Sequence, residues 1–278
     1  MAVECGCNVV VCAKTVLPDP KLPGTIYTVV DEIRSLGGQA AAFQLDVQNA
    51  SECQACADFA YKTFGSVDIV INNASALWWR KIVDTPMSRF DLMLGVNARG
   101  SFALTRACLP YMNPKWGFVI SMSPPIEDSA NLNERTAYSI SKLGMTLVAL
   151  GVAAEYRGQG IAGHSLWPAT VVESYASENF AMGDRSSWRT AQVLVDSVLC
   201  ILSQDPAAFT GKTWIDEDLL RSFGVEDFKR YRCDPEVEPP TMKQLAGNGD
   251  AFSRGKALTP NERAAVAEQF KQARKAKL

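Results

Sequence analysis

The amino-acid sequence predicts an α/β fold built on a doubly wound, mostly parallel sheet, and three observations predict it. Short apolar runs alternate with amphipathic stretches of helical period, the pattern of βαβ units whose helices cover both faces of a sheet. Glycines close the helical stretches, as at Gly37, Gly38 and Gly65, where a left-handed C-terminal residue is needed. The polar residues of interest follow the apolar runs directly: Lys14, Asp46, Asn73 to Ser75, Ser123 and Pro168. In an open parallel sheet, ligands bind outside the carboxyl ends of the strands, which is where such residues would stand.

In chain order, strands are expected over Asn8 to Ala13, Ala40 to Leu45, Val67 to Asn72, Gly117 to Met122, Ile161 to Trp167 and Thr213 to Ile215. Helices are expected over Tyr27 to Leu36, Ala50 to Phe64, a long segment Pro86 to Met112, Arg135 to Tyr156 and Trp188 to Leu202. Residues 1–232 read as this one domain, without internal repeats. Residues 233–258 are polar and rich in Pro and Gly, the composition of a linker. Thr259, Pro260 and Glu262 then supply an N-cap, a first-turn proline and a capping-box acid, so 259–278 should end the chain as a helix from Pro260 to about Lys275.

The composition excludes several function classes. The chain has 278 residues, 47% apolar and 21% charged, with a net charge of -2 and a pI near 5.6. It has no basic surplus with which to bind nucleic acid. Strongly apolar runs such as Val9 to Ala13 fall short of the roughly 20 residues that span a bilayer. The start, MAVECGCNVVV, lacks a secretory signal, and the eight cysteines read as free thiols in a reducing compartment. Cys53 and Cys56 form a CxxC inside a helical pattern, without a second pair at zinc spacing, and read as packing residues. The single histidine, His164, lies in an apolar segment and reads as a core residue, so no metal site is expected.

Tyr138 and Lys142 stand four apart on a strong helical pattern, which puts both side chains on one face. A phenol with a pKa near 10 is a poor base at neutral pH, but an ammonium within about 4 to 6 Å favours the phenolate and lowers that value. Such a phenol exchanges a proton with an alcohol or carbonyl oxygen. By itself YxxxK also occurs as an ordinary helix face.

Its company is more specific. NNAS at Asn72 to Ser75 follows a strand, VNARG spans Val96 to Gly100, a serine-containing strand end covers Ser121 to Ser123, and WPAT follows at Trp167 to Thr170. In this order the set resembles the short-chain dehydrogenase/reductase family, with a Rossmann-like fold, from about Cys7 to Ile215. The segments AKT at Ala13 to Thr15, PKLPGTIYTVVDEI at Pro20 to Ile33, SPP at Ser123 to Pro125 and FTGKTWIDEDLL at Phe209 to Leu220 have the character of its hydroxysteroid dehydrogenase-like subgroup. The resemblance implies that Tyr138 is the catalytic acid/base and that Lys142 holds the nicotinamide ribose and lowers the tyrosine pKa. It implies that Asn97 positions a water, that Asn73, Ala74 and Pro168 lie along the cofactor, and that Asp46 bonds the adenine. After the first strand present, Lys14 offers a cation and no acid, which favours NADP(H) over NAD(H).

The sequence departs from the family pattern in two places. No glycine-rich phosphate loop is present, and the chain starts where the first helix should end, so the first βα unit, on the order of 25 to 30 residues, is expected to be lacking. Its loss would leave a gap in the sheet. A late-called start or alternative transcript, a fragment of a longer chain, and a chain that has lost cofactor binding all fit. The oxyanion serine expected about 13 residues before the tyrosine is replaced nearly in place by Pro124. Ser123 either takes that role or is a strand-end turn residue.

Trp78 and Trp79, with Trp167, Tyr175, Phe180, Met182 and Trp188, suggest a lipophilic substrate, fatty-acyl or steroid-like, placing the protein in lipid metabolism. The final Ala276, Lys277 and Leu278 resemble the SKL peroxisomal address, which would make the import receptor a partner and a peroxisome the location, with the cytoplasm as alternative. A homo-oligomer is left open. The leading expectation is an NADP(H)-dependent oxidoreductase interconverting an alcohol and a ketone. The alternatives are a non-catalytic relative and an enoyl-reducing enzyme.

Overall fold

The computed structural model describes residues 5–18, 24–126, 132, 134–180 and 182–247. In chain order these form β1 (Val9–Ala13), α1 (Ile26–Ser35), β2 (Ala40–Gln44), α2 (Ala50–Phe64), β3 (Ile69–Asn72), α3 (Met87–Met93), α4 (Ser101–Cys108), β4 (Gly117–Met122), α5 (Thr136–Glu155), β5 (Ile161–Trp167), α6 (Tyr175–Asn179), α7 (Gln192–Leu202), β6 (Lys212–Ile215), α8 (Asp216–Ser222) and α9 (Met242–Gly247). The expected α/β class with parallel strands holds. The chain divides into two compact units, one of residues 1–167 and 195–223, the other of 168–194 and 224–278.

Among the described residues, β1 to β6 all lie in the first unit. Among the described residues the strands form two parallel sheets, β1-β2 and β3-β4-β5-β6. Val9 pairs with Ala40, Ile69 with Phe118, Phe118 with Ala162, and Ser165 with Thr213. No ladder joins β1 to β3 among these residues, as the expected gap requires. A cavity of about 770 Å³ opens there, lined by both facing edges and by residues of α2 and α4. Residues Phe118 to Ile120 and Ile161 to Leu166 are buried, so β4 and β5 form the best-covered part of the sheet.

Local chemistry explains the helices. Thr25 and Thr28 make a reciprocal capping box that starts α1, Asn49 caps α2, and Gly65 ends it in the left-handed region. The long apolar α5 buries Ala137, Ser141, Met145, Ala149 and Val152. It has the length and composition to cross a membrane, a stretch the sequence analysis did not single out, yet in this unit it packs on β4 and β5. Gly163 on β5 permits that approach, because a Cβ there would lie 1.9 Å from the Ala149 carbonyl oxygen.

Two expected helices differ from the structure. The segment Pro86 to Met112 is split by a π-helical turn over Leu94–Gly100, whose wider ring turns Asn97 inward. The stretch from Trp188 enters α7 only at Gln192, because Arg189 makes bridges to Val172 and Arg232 in the second unit. That unit also carries α6 and α9 and a bridge from Thr170 to Thr241. Residues 233–247, assigned to a linker from sequence, therefore carry a bridge and a short helix. The expected final helix and Ala276 to Leu278 lie outside the described residues.

Candidate active site

The helix α5 puts Tyr138 and Lys142 one turn apart, with the Lys142 Nζ 5.8 Å from the centre of the Tyr138 ring. Lys142 is buried, donates to the Met122 carbonyl oxygen at 2.9 Å, and lies 5.5 Å above the Trp167 ring. Burial drives both acid-base groups toward their neutral forms. It pushes the Tyr138 phenol well above its ordinary value, an effect offset in part by a Ser75 hydrogen bond and by the Arg135 charge. It lowers Lys142 to about 7. Burial thus opposes the expected lowering of the tyrosine pKa by Lys142: desolvation is the largest cause acting on both groups, and the Lys142 Nζ is engaged by a carbonyl.

Asn97 is wholly buried and saturated. Its Oδ1 accepts from the Ala76 N–H at 2.7 Å, and its Nδ2 donates to the Ala76 carbonyl at 2.9 Å and to Ser141 Oγ at 2.8 Å. It therefore ties the loop after β3 to the helix that carries Tyr138. Trp79 from that loop meets the Tyr138 ring edge-on at 6.1 Å, with the Arg135 guanidinium stacked on its other side at 4.5 Å. Trp78 lies under Arg89 and Arg80, at 4.8 and 5.4 Å. Both tryptophans are half-buried, each held by an arginine.

Ser123 is fully buried at the end of β4, where its hydroxyl accepts from Thr146 at 2.9 Å. Its neighbours here are those of a strand-end core residue. Lys14 and Asp46 meet in an ion pair at 2.8 Å, which holds the Asp46 carboxyl below the usual range. They line the cavity between the two sheets with Asn73, Ala74 and Ser75, whereas Tyr138 and Lys142 are not part of its wall. Pro168 belongs to the second unit, as do Tyr175, Phe180, Met182 and Trp188. Trp188 is buried there, its indole N–H donating to the Met182 carbonyl at 3.0 Å. His164 sits in the core of β5 with Nε2 2.9 Å from the Phe209 carbonyl, and burial lowers its pKa to about 4.

Sequence reasoning singled out Ser75 without giving it a role, and missed Ser141 and Arg135 as site residues. Ser141 follows Tyr138 by three positions on a helix, a spacing that signals a shared face, but its partner Asn97 is a tertiary neighbour that spacing does not reveal.

Residues 2–182 match the family model described as short chain dehydrogenase. Hydroxysteroid dehydrogenase-like protein 2 of Xenopus tropicalis is 40% identical over 237 residues, covering 83% of this chain and 55% of that protein. The Homo sapiens protein of the same name is 39% identical over 241 residues, covering 84% and 56%. The chain thus spans a little over half the length of these relatives. A crystal structure of a short chain dehydrogenase from Mycobacterium thermoresistibile superposes with a TM-score of 0.78 at 39% identity, covering 84% of each chain. A blue fluorescent protein from a metagenomic library, in complex with NADPH, shares the fold at a TM-score of 0.64 and 18% identity, covering 75% of this chain and 85% of that one.

Proposed function

Because this chain belongs to the short-chain dehydrogenase family, whose members are oxidoreductases that bind nicotinamide cofactors, we propose that it interconverts a lipophilic alcohol and ketone with NADP(H). The observation that carries this reading is the desolvated Tyr138–Lys142 pair on one face of α5, braced by Ser75 and by the Asn97–Ser141 bond.

The chain supplies groups for both ends of the dinucleotide. Lys142 has three N–H donors and spends one on Met122, leaving donors for a ribose hydroxyl. At the other end Lys14 would hold a 2'-phosphate and Asp46 the base, two groups that are paired with each other in this structure. Asn73 and Ala74 line the cavity with Lys14 and Asp46 and would lie along the cofactor. Among the described residues no glycine-rich turn cradles the pyrophosphate. The bound cofactor would supply or accept the hydride. Tyr138 gives its phenolic proton to the carbonyl oxygen in reduction and takes it back in oxidation, with Lys142, near 7, able to change charge at neutral pH. The aromatic wall of Trp79 and Trp167 suits an apolar substrate, fatty-acyl or steroid-like.

The second reading, a non-catalytic relative, draws on the Lys14–Asp46 pair and the divided sheet. The deciding experiment is NADPH binding to residues 1–278, followed by quenching of tryptophan fluorescence, and then turnover of medium-chain ketones. Saturable micromolar quenching is expected for the parent and for Tyr138→Phe, with turnover lost in the latter. Lys14→Glu should weaken NADPH while sparing NADH. A folded chain that binds neither dinucleotide overturns the enzyme reading, and reduction of C=C rather than C=O would assign an enoyl reductase. The terminal Ala276, Lys277 and Leu278 support a peroxisomal address, which import of a reporter carrying the last residues would test.

A further inference from the structure

Four cysteine sulfurs gather where β1, α2 and α4 meet, and the sequence motif misleads about which of them are partners. Cys53 and Cys56 form the CxxC, yet Cys53 Sγ turns to the Val47 carbonyl at 3.6 Å and is fully buried. Cys56 instead faces Cys12 across from β1, with the two sulfurs 3.3 Å apart. Both line the cavity between the two sheets, and Cys53 does not. Cys108 also reaches that cavity, but burial pushes its thiol up to about 12, so it stays protonated.

We propose that Cys12 and Cys56 are a redox-active dithiol that hydroperoxides oxidise to a reversible disulfide linking β1 to α2. A disulfide needs its sulfurs at about 2.05 Å, so closure asks each to move by roughly 0.6 Å along their line, within reach of side-chain rotation. The contact between the two sulfurs lowers the Cys56 pKa, whereas that contact and burial raise Cys12. Since the thiolate is the nucleophile, Cys56 reacts first.

The Cys56 thiolate attacks one oxygen of hydrogen peroxide, the O–O bond breaks, and the leaving hydroxide takes a proton to become water. Cys56 is then a sulfenic acid. Cys12 gives up its proton as its sulfur attacks that of Cys56, the S–S bond forms, the S–O bond breaks, and a second water leaves. The two thiols lose two protons and two electrons, and the peroxide accepts both.

The test uses residues 1–278, reduced and freed of reductant, treated with stoichiometric hydrogen peroxide, alkylated and digested without reduction. Two of the eight thiols should disappear. One peptide should join Cys12 to Cys56, the intact mass should fall by two hydrogens, and dithiothreitol should restore both thiols. Cys12→Ser and Cys56→Ser should each abolish the linked peptide, and Cys53→Ser should leave it. A Cys53–Cys56 linkage, a sulfinic acid at Cys56 with no linkage, a disulfide between chains, or retention of all eight thiols overturns the proposal. The peptide map of the unsubstituted chain decides the matter even if a serine variant fails to fold.

Discussion

Gly163→Ala adds one methyl group at the place where β5 and α5 approach most closely. Its Cβ would sit 1.9 Å from the Ala149 carbonyl oxygen and 2.9 Å from the Ala153 nitrogen, both backbone atoms of a helix that cannot yield by rotating a side chain. Relief to an ordinary contact of roughly 3.4 Å requires α5 to retreat by about 1.5 Å, and close-packed interiors resist such movement. Overpacking typically costs 1–3 kcal/mol. Because backbone opposes backbone here, the expected loss is about 3 kcal/mol or more. With a urea m-value of about 3 kcal/mol/M, the unfolding midpoint should fall by about 1 M. Gly151→Ala is the matched control: it lies within the same helix, and a Cβ there meets nothing within 4 Å. It should stabilise by roughly 0.5–1 kcal/mol through helix propensity and a restricted unfolded chain. Urea unfolding followed by far-ultraviolet circular dichroism compares all three chains. A Gly163→Ala midpoint within error of the parent would refute the account of how α5 is seated.

The lowered Lys142 pKa makes a signed prediction. The unfolded lysine, with a pKa near 10.4, binds a proton that the folded one releases above about 7, so stability should rise with pH across that window and lose the gain as pH falls back through 7. The contribution between pH 7 and 9 is on the order of 2 kcal/mol. It should vanish in Lys142→Met, and an identical pH response of the two chains would rule it out. Asn97→Ala removes three hydrogen bonds, takes the partner from the Ala76 N–H and leaves the Ala76 carbonyl the longer bond from Ser75, at about 3 kcal/mol. Thermal melting should show that loss. Asn97→Asp keeps an acceptor for the Ala76 N–H but sets a buried carboxylate oxygen against the Ala76 carbonyl, so it should melt no higher than Asn97→Ala; a melting point equal to the parent's for Asn97→Ala would sink the positioning role.

The strands were legible because buried parallel strands announce themselves as apolar runs. The limits of α2 were legible because Asn49 and Gly65 mark its ends chemically. The π-turn at Leu94–Gly100 was not, since the apolar pattern runs through it and the bonds that Asn97 makes to Ala76 and Ser141 are tertiary. Tyr138 and Lys142 were found from their spacing, but their protonation depends on burial, which the motif does not encode. Lys14 and Asp46 were assigned separate ligand contacts, while the structure pairs them with each other; thirty-two positions of sequence hide a contact of 2.8 Å. The CxxC was read as two packing residues, and local spacing could not show that Cys56 meets Cys12, forty-four positions away, at 3.3 Å.

The divided sheet also bears on how the molecule breathes. β1 and β2 exchange hydrogen bonds with each other and form no ladder with the β3-to-β6 sheet among the described residues, and the residues of β1 are only partly buried. Opening that pair leaves the ladders among β3 to β6 intact, so its amides should exchange through a low-energy local event while those of β4 and β5 wait for global unfolding. The chain is then two cooperative layers of unequal persistence, and proteolytic clipping should begin at the weaker one.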